Sequence, residues 1–271
     1  MTIRFRNRLT LALFIISLSC LFLAVLFTCF SYFSGNLSRP DVYTKGIPEN
    51  FFFGFNSRFV YAGIFTLITY TCVTSLIIYH SFEKTQAPDI VFFLLFLFAC
   101  LCDGSRIFVP VFNVSGTFSL FLLKTGNLHL FAILLAPLAL MGNTVLTGDY
   151  FKQNTDRNCL ILIILSVFFA EFIPTNTAVI LPNYGVSYGY VTAIRLFSTA
   201  IIVLSTITLF ITNYKSEYKQ TMTAGFLMIS IGYTLLFYCY NIAGYISGTL
   251  LLGTGTFIYL TEVHRHYLWI D

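Results

Sequence analysis

Six ionisable side chains interrupt otherwise apolar stretches of this chain: Asp103, Arg106, Lys124, His129, Glu171 and Arg195. At the centre of a membrane helix each costs about 2.5–3.5 kcal/mol or more unless it is paired or hydrated, so such charges mark either an ion-pair network or a site. Asp103 and Arg106 are three residues apart and share a helix face. Arg106 and Arg195 have the donor geometry to clamp a carboxylate or phosphate bidentately. With His129 neutral, two acids stand against three bases, which leaves about one surplus positive charge. The chemistry this suggests is recognition of a small anionic or zwitterionic solute, in transport or sensing. The alternative is a structural or accessory subunit in which the charges pair with one another and only fix helix packing.

Other candidate chemistries are thinner. His264 and His266 are two apart and diverge on a helix, whereas Glu262 and His266 share a face without a third ligand, so no metal centre is expected. There is no phosphate-binding glycine loop, no HExxH and no nucleophile elbow, hence no expected cofactor or ATP-driven step. The seven cysteines, Cys20, Cys29, Cys72, Cys100, Cys102, Cys159 and Cys239, fall within or beside apolar stretches and form no disulfide framework. The segment Cys102-Asp103-Gly104-Ser105-Arg106 is similar, over five residues, to the Cys-Ser-Gly-x-Arg segment of exosortase-like transpeptidases, which are multi-spanning proteins with an outer-facing Cys. That resemblance implies an intramembrane enzyme using Cys102. The sequence departs from it by placing Asp103 where the Ser stands, and by lacking a downstream His on the outer side.

The elements that must position these residues follow from composition. The chain has 271 residues, 57% hydrophobic and 10% charged, where soluble domains carry roughly a quarter charged residues. That excludes a soluble globular domain. The net charge of +4 is scattered through short loops and forms no basic stripe for nucleic acid. A spanning helix needs about 20 mostly apolar residues. Eight such stretches predict an all-α polytopic bundle with a single transmembrane domain: 9–33, 59–80, 90–112, 118–146, 159–181, 190–212, 221–240 and 243–261. The last two are separated at Asn241–Gly244, because an unbroken helix there would be about twice the bilayer thickness. A seven-span reading remains open.

Orientation follows from counting Lys and Arg in the loops. With the N-terminus inside, nine fall on the cytoplasmic side (Arg4, Arg6, Arg8, Lys84, Lys152, Arg157, Lys215, Lys219, Arg265) and three outside (Arg39, Lys45, Arg58). Both termini are then cytoplasmic, in an inner-membrane protein surrounded by lipid and open to a membrane partner subunit. The first stretch follows Arg4, Arg6 and Arg8 but runs to about Phe33, beyond the 7–15 apolar residues of a signal peptide, which predicts a retained span. Its Cys20 lacks the aliphatic residue of a lipoprotein box. The outer loop 34–58 carries an aromatic run, Phe51–Phe53 and Phe55, suited to the membrane interface. Depths computed along the helices put Asp103 roughly 20 Å from the inner end. Lys124, Glu171 and Arg195 fall roughly 10, 12 and 8 Å below the outer surface. All six charges are therefore expected in one hydrated outer-half cluster. Pro110, Pro137 and Pro174 are expected to kink the third, fourth and fifth spans around it.

Overall fold

The computed structural model describes residues 2–35, 42–45, 47, 52–83, 87–112, 119–145, 154–213 and 217–268. Of the residues that bear on orientation, Arg39, Lys84, Lys152, Lys215 and Trp269 lie outside them. Among the described residues 83% are helical. The order is α1 (Ile3–Phe33), α2 (Ser57–Ser81), α3 (Pro88–Asp103), a 3₁₀ turn (Gly104–Ile107), α4 (Phe108–Val111), α5 (Leu120–Val145) and α6 (Thr155–Phe172). A two-stranded sheet, β1 (Thr175–Ile180) and β2 (Val186–Tyr188), precedes α7 (Val191–Asn213), α8 (Glu217–Phe237) and α9 (Ile242–Leu268).

Among the described residues seven helical segments are long and apolar enough to cross a membrane: α1, α2, α3 through α4, α5, α7, α8 and α9. Apolar side chains also cover the outside of the bundle, among them Ile15, Phe22 and Phe30 on α1, Ile164 and Phe168 on α6, and Leu204 and Ile211 on α7. Soluble monomers do not expose apolar surface on this scale. The chain is a multi-pass membrane protein. Its centre is made by α3 and α5, where Phe92, Phe93, Phe96, Leu97, Ala132, Leu135 and Ala136 are buried.

Contacts sort the helix ends into two groups. At one end the Arg6 guanidinium donates to the Phe82 carbonyl, Asn7 Nδ2 to the Glu83 carbonyl at 2.9 Å, and the Tyr267 hydroxyl to Asp89 Oδ2 at 2.9 Å. These bonds bring together the start of α1, the end of α2, the start of α3 and the end of α9. At the other end Ser31 Oγ donates to the Val111 carbonyl at 3.0 Å, Asn56 N to the Tyr240 carbonyl at 2.8 Å, and Tyr43 N to the Ile180 carbonyl at 3.0 Å. The antiparallel sheet belongs to this second end, because Val186 and Thr175 pack on Gly126 near the start of α5.

The fifth apolar stretch departs from the expected span 159–181. The helix stops at Phe172, ahead of Pro174, whose ring disfavours helical backbone in the residue before it and which lacks a donor. Thr175–Ile180 then run as a strand, with a register shift between Asn176 and Ile180. Pro174 thus ends a helix and does not kink one, whereas Pro137 lies inside α5.

α8 and α9 pack backbone against backbone, and glycines permit it. A Cβ on Gly232 would sit 2.5 Å from Leu252 N, and one on Gly255 would sit 2.8 Å from Ile229 N; both obstacles are backbone. A Cβ on Gly248 of the expected Gly244/Gly248 close-packing face would lie 3.1 Å from Leu236 N, whereas one on Gly244 would meet the Asn241 side chain that caps α9 first and the Leu235 carbonyl only at 3.8 Å. Gly253, on the same helix, faces open space. Gly232→Ala should therefore lower detergent stability by about 1–3 kcal/mol through overpacking, and Gly253→Ala should leave it unchanged or slightly raised. Thermal unfolding of the two variants checks this, and equal losses would contradict the packing described.

Candidate functional site

The helix tightens after Asp103 into the 3₁₀ turn Gly104–Ile107. In such a turn residues three apart eclipse one another, which sets Arg106 directly beside Asp103. The Arg106 Nη2 group bonds Asp103 Oδ2, and Nε donates to the Asp103 carbonyl at 3.3 Å. Nη1 donates to the carbonyls of Asn183 at 3.1 Å and Phe237 at 2.9 Å. The other carboxylate oxygen of Asp103 bonds His129 Nδ1 at 2.8 Å. Asp103 is 0%, His129 1% and Arg106 2% exposed, so the centre is dry.

Three further pieces close it. The turn between β1 and β2 dips into the bundle, with Asn183, Tyr184 and Val186 all buried. Its Leu181 N donates to the Gly185 carbonyl at 2.8 Å and Tyr184 N to the Leu181 carbonyl at 3.0 Å, and Tyr184 takes φ +60. A non-glycine residue in that region is sparsely populated and is held by its surroundings. Asn183 Nδ2 reaches the Phe237 carbonyl at 3.1 Å while its Oδ1 accepts from Gly185 N at 3.2 Å. The Phe237 ring stacks on His129, centroids 5.0 Å apart and 3° from parallel, and carries the Arg106 guanidinium at 5.0 Å. A Cβ on Gly185 would lie 2.5 Å from His129 Nε2, so only glycine lets the turn close over that nitrogen. Among the described residues Nε2 itself has no hydrogen-bond partner, and neither do Ser105 Oγ and the Tyr233 hydroxyl.

The six charges expected in one hydrated cluster fall into three places. Asp103, Arg106 and His129 form the buried centre. Lys124 and Glu171 pair with each other at 3.5 Å, 68% and 56% exposed, and Asn127 Nδ2 donates to Glu171 Oε2 at 2.9 Å. Arg195 is exposed and lies over the Tyr238 ring at 5.0 Å. Rise along the helices puts Asp103, Lys124, Glu171 and Arg195 at similar heights but does not fix which faces meet; Lys124 and Glu171 lie on the exposed surface of α5 and α6, whereas Asp103 is buried. The residues missed from the sequence are Asn183, Gly185 and Phe237. A signal for the first two was present: Thr175–Ile180 is rich in β-branched residues and is followed by Leu181-Pro182-Asn183-Tyr184-Gly185, a strand followed by turn residues. Phe237 acts through its carbonyl and ring, which no residue-type pattern marks.

Cys102 is half-buried, and the two ring nitrogens of His129 face Asp103 and Gly185. No group of three or more His, Cys, Asp or Glu among the described residues is placed to hold a metal ion. Between α5, α7 and α8 a cavity of about 20 Å³, lined by Tyr233, Phe237, Tyr238 and Thr199, is large enough for about one water.

The buried and exposed pairs should respond differently to truncation. Asp103→Ala leaves the Arg106 charge buried without its counter-ion and should cost about 3–5 kcal/mol. Glu171→Ala, which breaks a solvated pair, should cost no more than about 1 kcal/mol. Comparable losses in denaturation of the two variants would contradict the division into a dry and a wet pair. No protein-family model matches the chain, and no curated protein or solved structure matches it.

Proposed function

We propose that this chain is a structural or accessory subunit of the cytoplasmic membrane, in which the Asp103–Arg106–His129 centre locks the outer half of the bundle. The observation that carries the reading is that Nε, Nη1 and Nη2 of Arg106 all end on groups of the chain itself. A guanidinium committed in this way has no fork to offer a ligand while the β1–β2 turn is in place.

The proposal includes eight spans with both termini in the cytoplasm. Support comes from α6. Its 18 residues carry Asp156, Arg157 and Glu171 near its ends, and it is about 27 Å long, close to the hydrocarbon thickness. The sheet that follows α6 packs beside the start of α5, so α6 brings the chain back from the far end of that helix. The shared contacts of Arg6, Phe82, Asp89 and Tyr267 favour one side for both termini. The excess of Lys and Arg favours the cytoplasm for that side. Reporter fusions at the two termini should both read as cytoplasmic. An external C-terminus would leave seven spans and remove α6 from the count.

A second reading is an outward site for a small anionic or zwitterionic solute, in transport or sensing. The specific observation favouring it is the unpartnered His129 Nε2 directly beneath the turn, with Lys124, Glu171 and Arg195 exposed. An anion would replace the Asn183 carbonyl on Arg106 Nη1 once the turn withdrew, while the Phe237 carbonyl stays with α8. Melting of the detergent-solubilised protein in acetate, phosphate and chloride separates the readings. A lock predicts wild-type melting temperatures that do not depend on which anion is present. A solute site predicts a rise with one anion that is absent in Arg106→Gln, and that result would overturn the structural reading.

A further inference from the structure

A long slot runs between α2 and α9, and none of the residues that line it belongs to the Asp103–Arg106–His129 centre. Its volume is about 820 Å³, and it extends from Ala62 and Tyr245 at one mouth to Ser81 and His264 at the other. Nineteen helical residues rise about 28 Å, close to the hydrocarbon thickness, so the slot follows the two helices across most of a bilayer. An apolar opening of that length and volume admits hydrocarbon chains.

Its surface suits such chains. Thr66, Thr249 and Thr261 donate their hydroxyls to carbonyls four residues earlier at 2.8, 2.7 and 2.7 Å, which turns them into methyl-bearing walls with their polar capacity spent. The Tyr70 hydroxyl and Thr256 Oγ1, 2.8 Å apart, satisfy each other between the two helices. Gly253 opens the α9 wall, since nothing lies within 4 Å of where its Cβ would be. Arg58 stands one turn before Ala62 on the same face of α2, exposed, and in no ion pair among the described residues. A cation at the mouth of an apolar slot complements an anionic headgroup.

We propose that the α2–α9 slot is a binding site for an anionic phospholipid, with its phosphate on Arg58 and its acyl chains between the two helices. This site is independent of the role assigned to Arg106.

The test is thermal unfolding of the full chain in detergent supplemented with phosphatidylglycerol or phosphatidylcholine. Phosphatidylglycerol should raise the wild-type melting temperature by several degrees, and by more than phosphatidylcholine does. Gly253→Phe, which fills the slot, should abolish both shifts. Ala62→Phe, which obstructs the Arg58 mouth by a separate route, should do the same, so that one misfolded variant does not decide the matter. Arg58→Ala should reduce the phosphatidylglycerol shift to the phosphatidylcholine level. Full shifts in both filled variants would overturn the proposal by showing that lipid acts elsewhere. So would a wild-type dimer that either filling substitution dissociates, because the slot would then hold a second copy.

Discussion

A guanidinium cannot be deprotonated to escape a dry environment, so wherever Arg106 is buried the chain must surround it with acceptors. That requirement organises the outer half of this protein. The acceptors come from three parts of the chain: the Asp103 carboxylate and carbonyl, the Asn183 carbonyl of the β1–β2 turn, and the Phe237 carbonyl at the end of α8, while His129 of α5 holds the second carboxylate oxygen of Asp103. Three of these acceptors are neutral carbonyls, so among the described residues the countercharge in direct contact is the Asp103 carboxylate. The arrangement also explains why a β-turn sits inside a helical bundle. Its inward-facing backbone has polar groups that hydrocarbon would leave unsatisfied, and these are spent on Arg106 and on the Asn183 side chain.

Elsewhere the bundle relies on contact more than on charge. The α8–α9 pair closes on glycines at Gly225, Gly232, Gly248 and Gly255, where backbone meets backbone. Membrane helices have no hydrophobic driving force toward each other, so close van der Waals approach of this kind supplies much of the association. The α3–α5 centre is filled by Phe and Leu side chains. By contrast, α1, α6 and α7 present apolar surface outward, as helices against lipid must.

The sequence made the helical class legible because apolar run length is set by bilayer thickness, a constraint that acts on each segment alone. The identity of the buried pair was legible too, since Asp103 and Arg106 sit three apart in an apolar run. What the sequence left open was three-dimensional: rotation of each helix about its axis decides that His129 meets Asp103 while Lys124, five residues earlier on the same helix, reaches solvent with Glu171. The stretch 173–181 has the apolar content of a helix end, but Pro174 and the β-branched residues after it carry the local signal for the strand found there. The roles of Asn183 and Phe237 are carried by main-chain carbonyls, which every residue has, so composition could not single them out.

The central claim is that Asp103 and Arg106 act as one dry unit. A double-mutant cycle of Asp103→Leu, Arg106→Leu and the combined variant, read as unfolding free energy in one detergent, measures their coupling directly. The account predicts that each single variant strands a buried charge or its partner groups, and that the double variant is more stable than either single one. Losses that simply add, with the double variant the least stable, would contradict it.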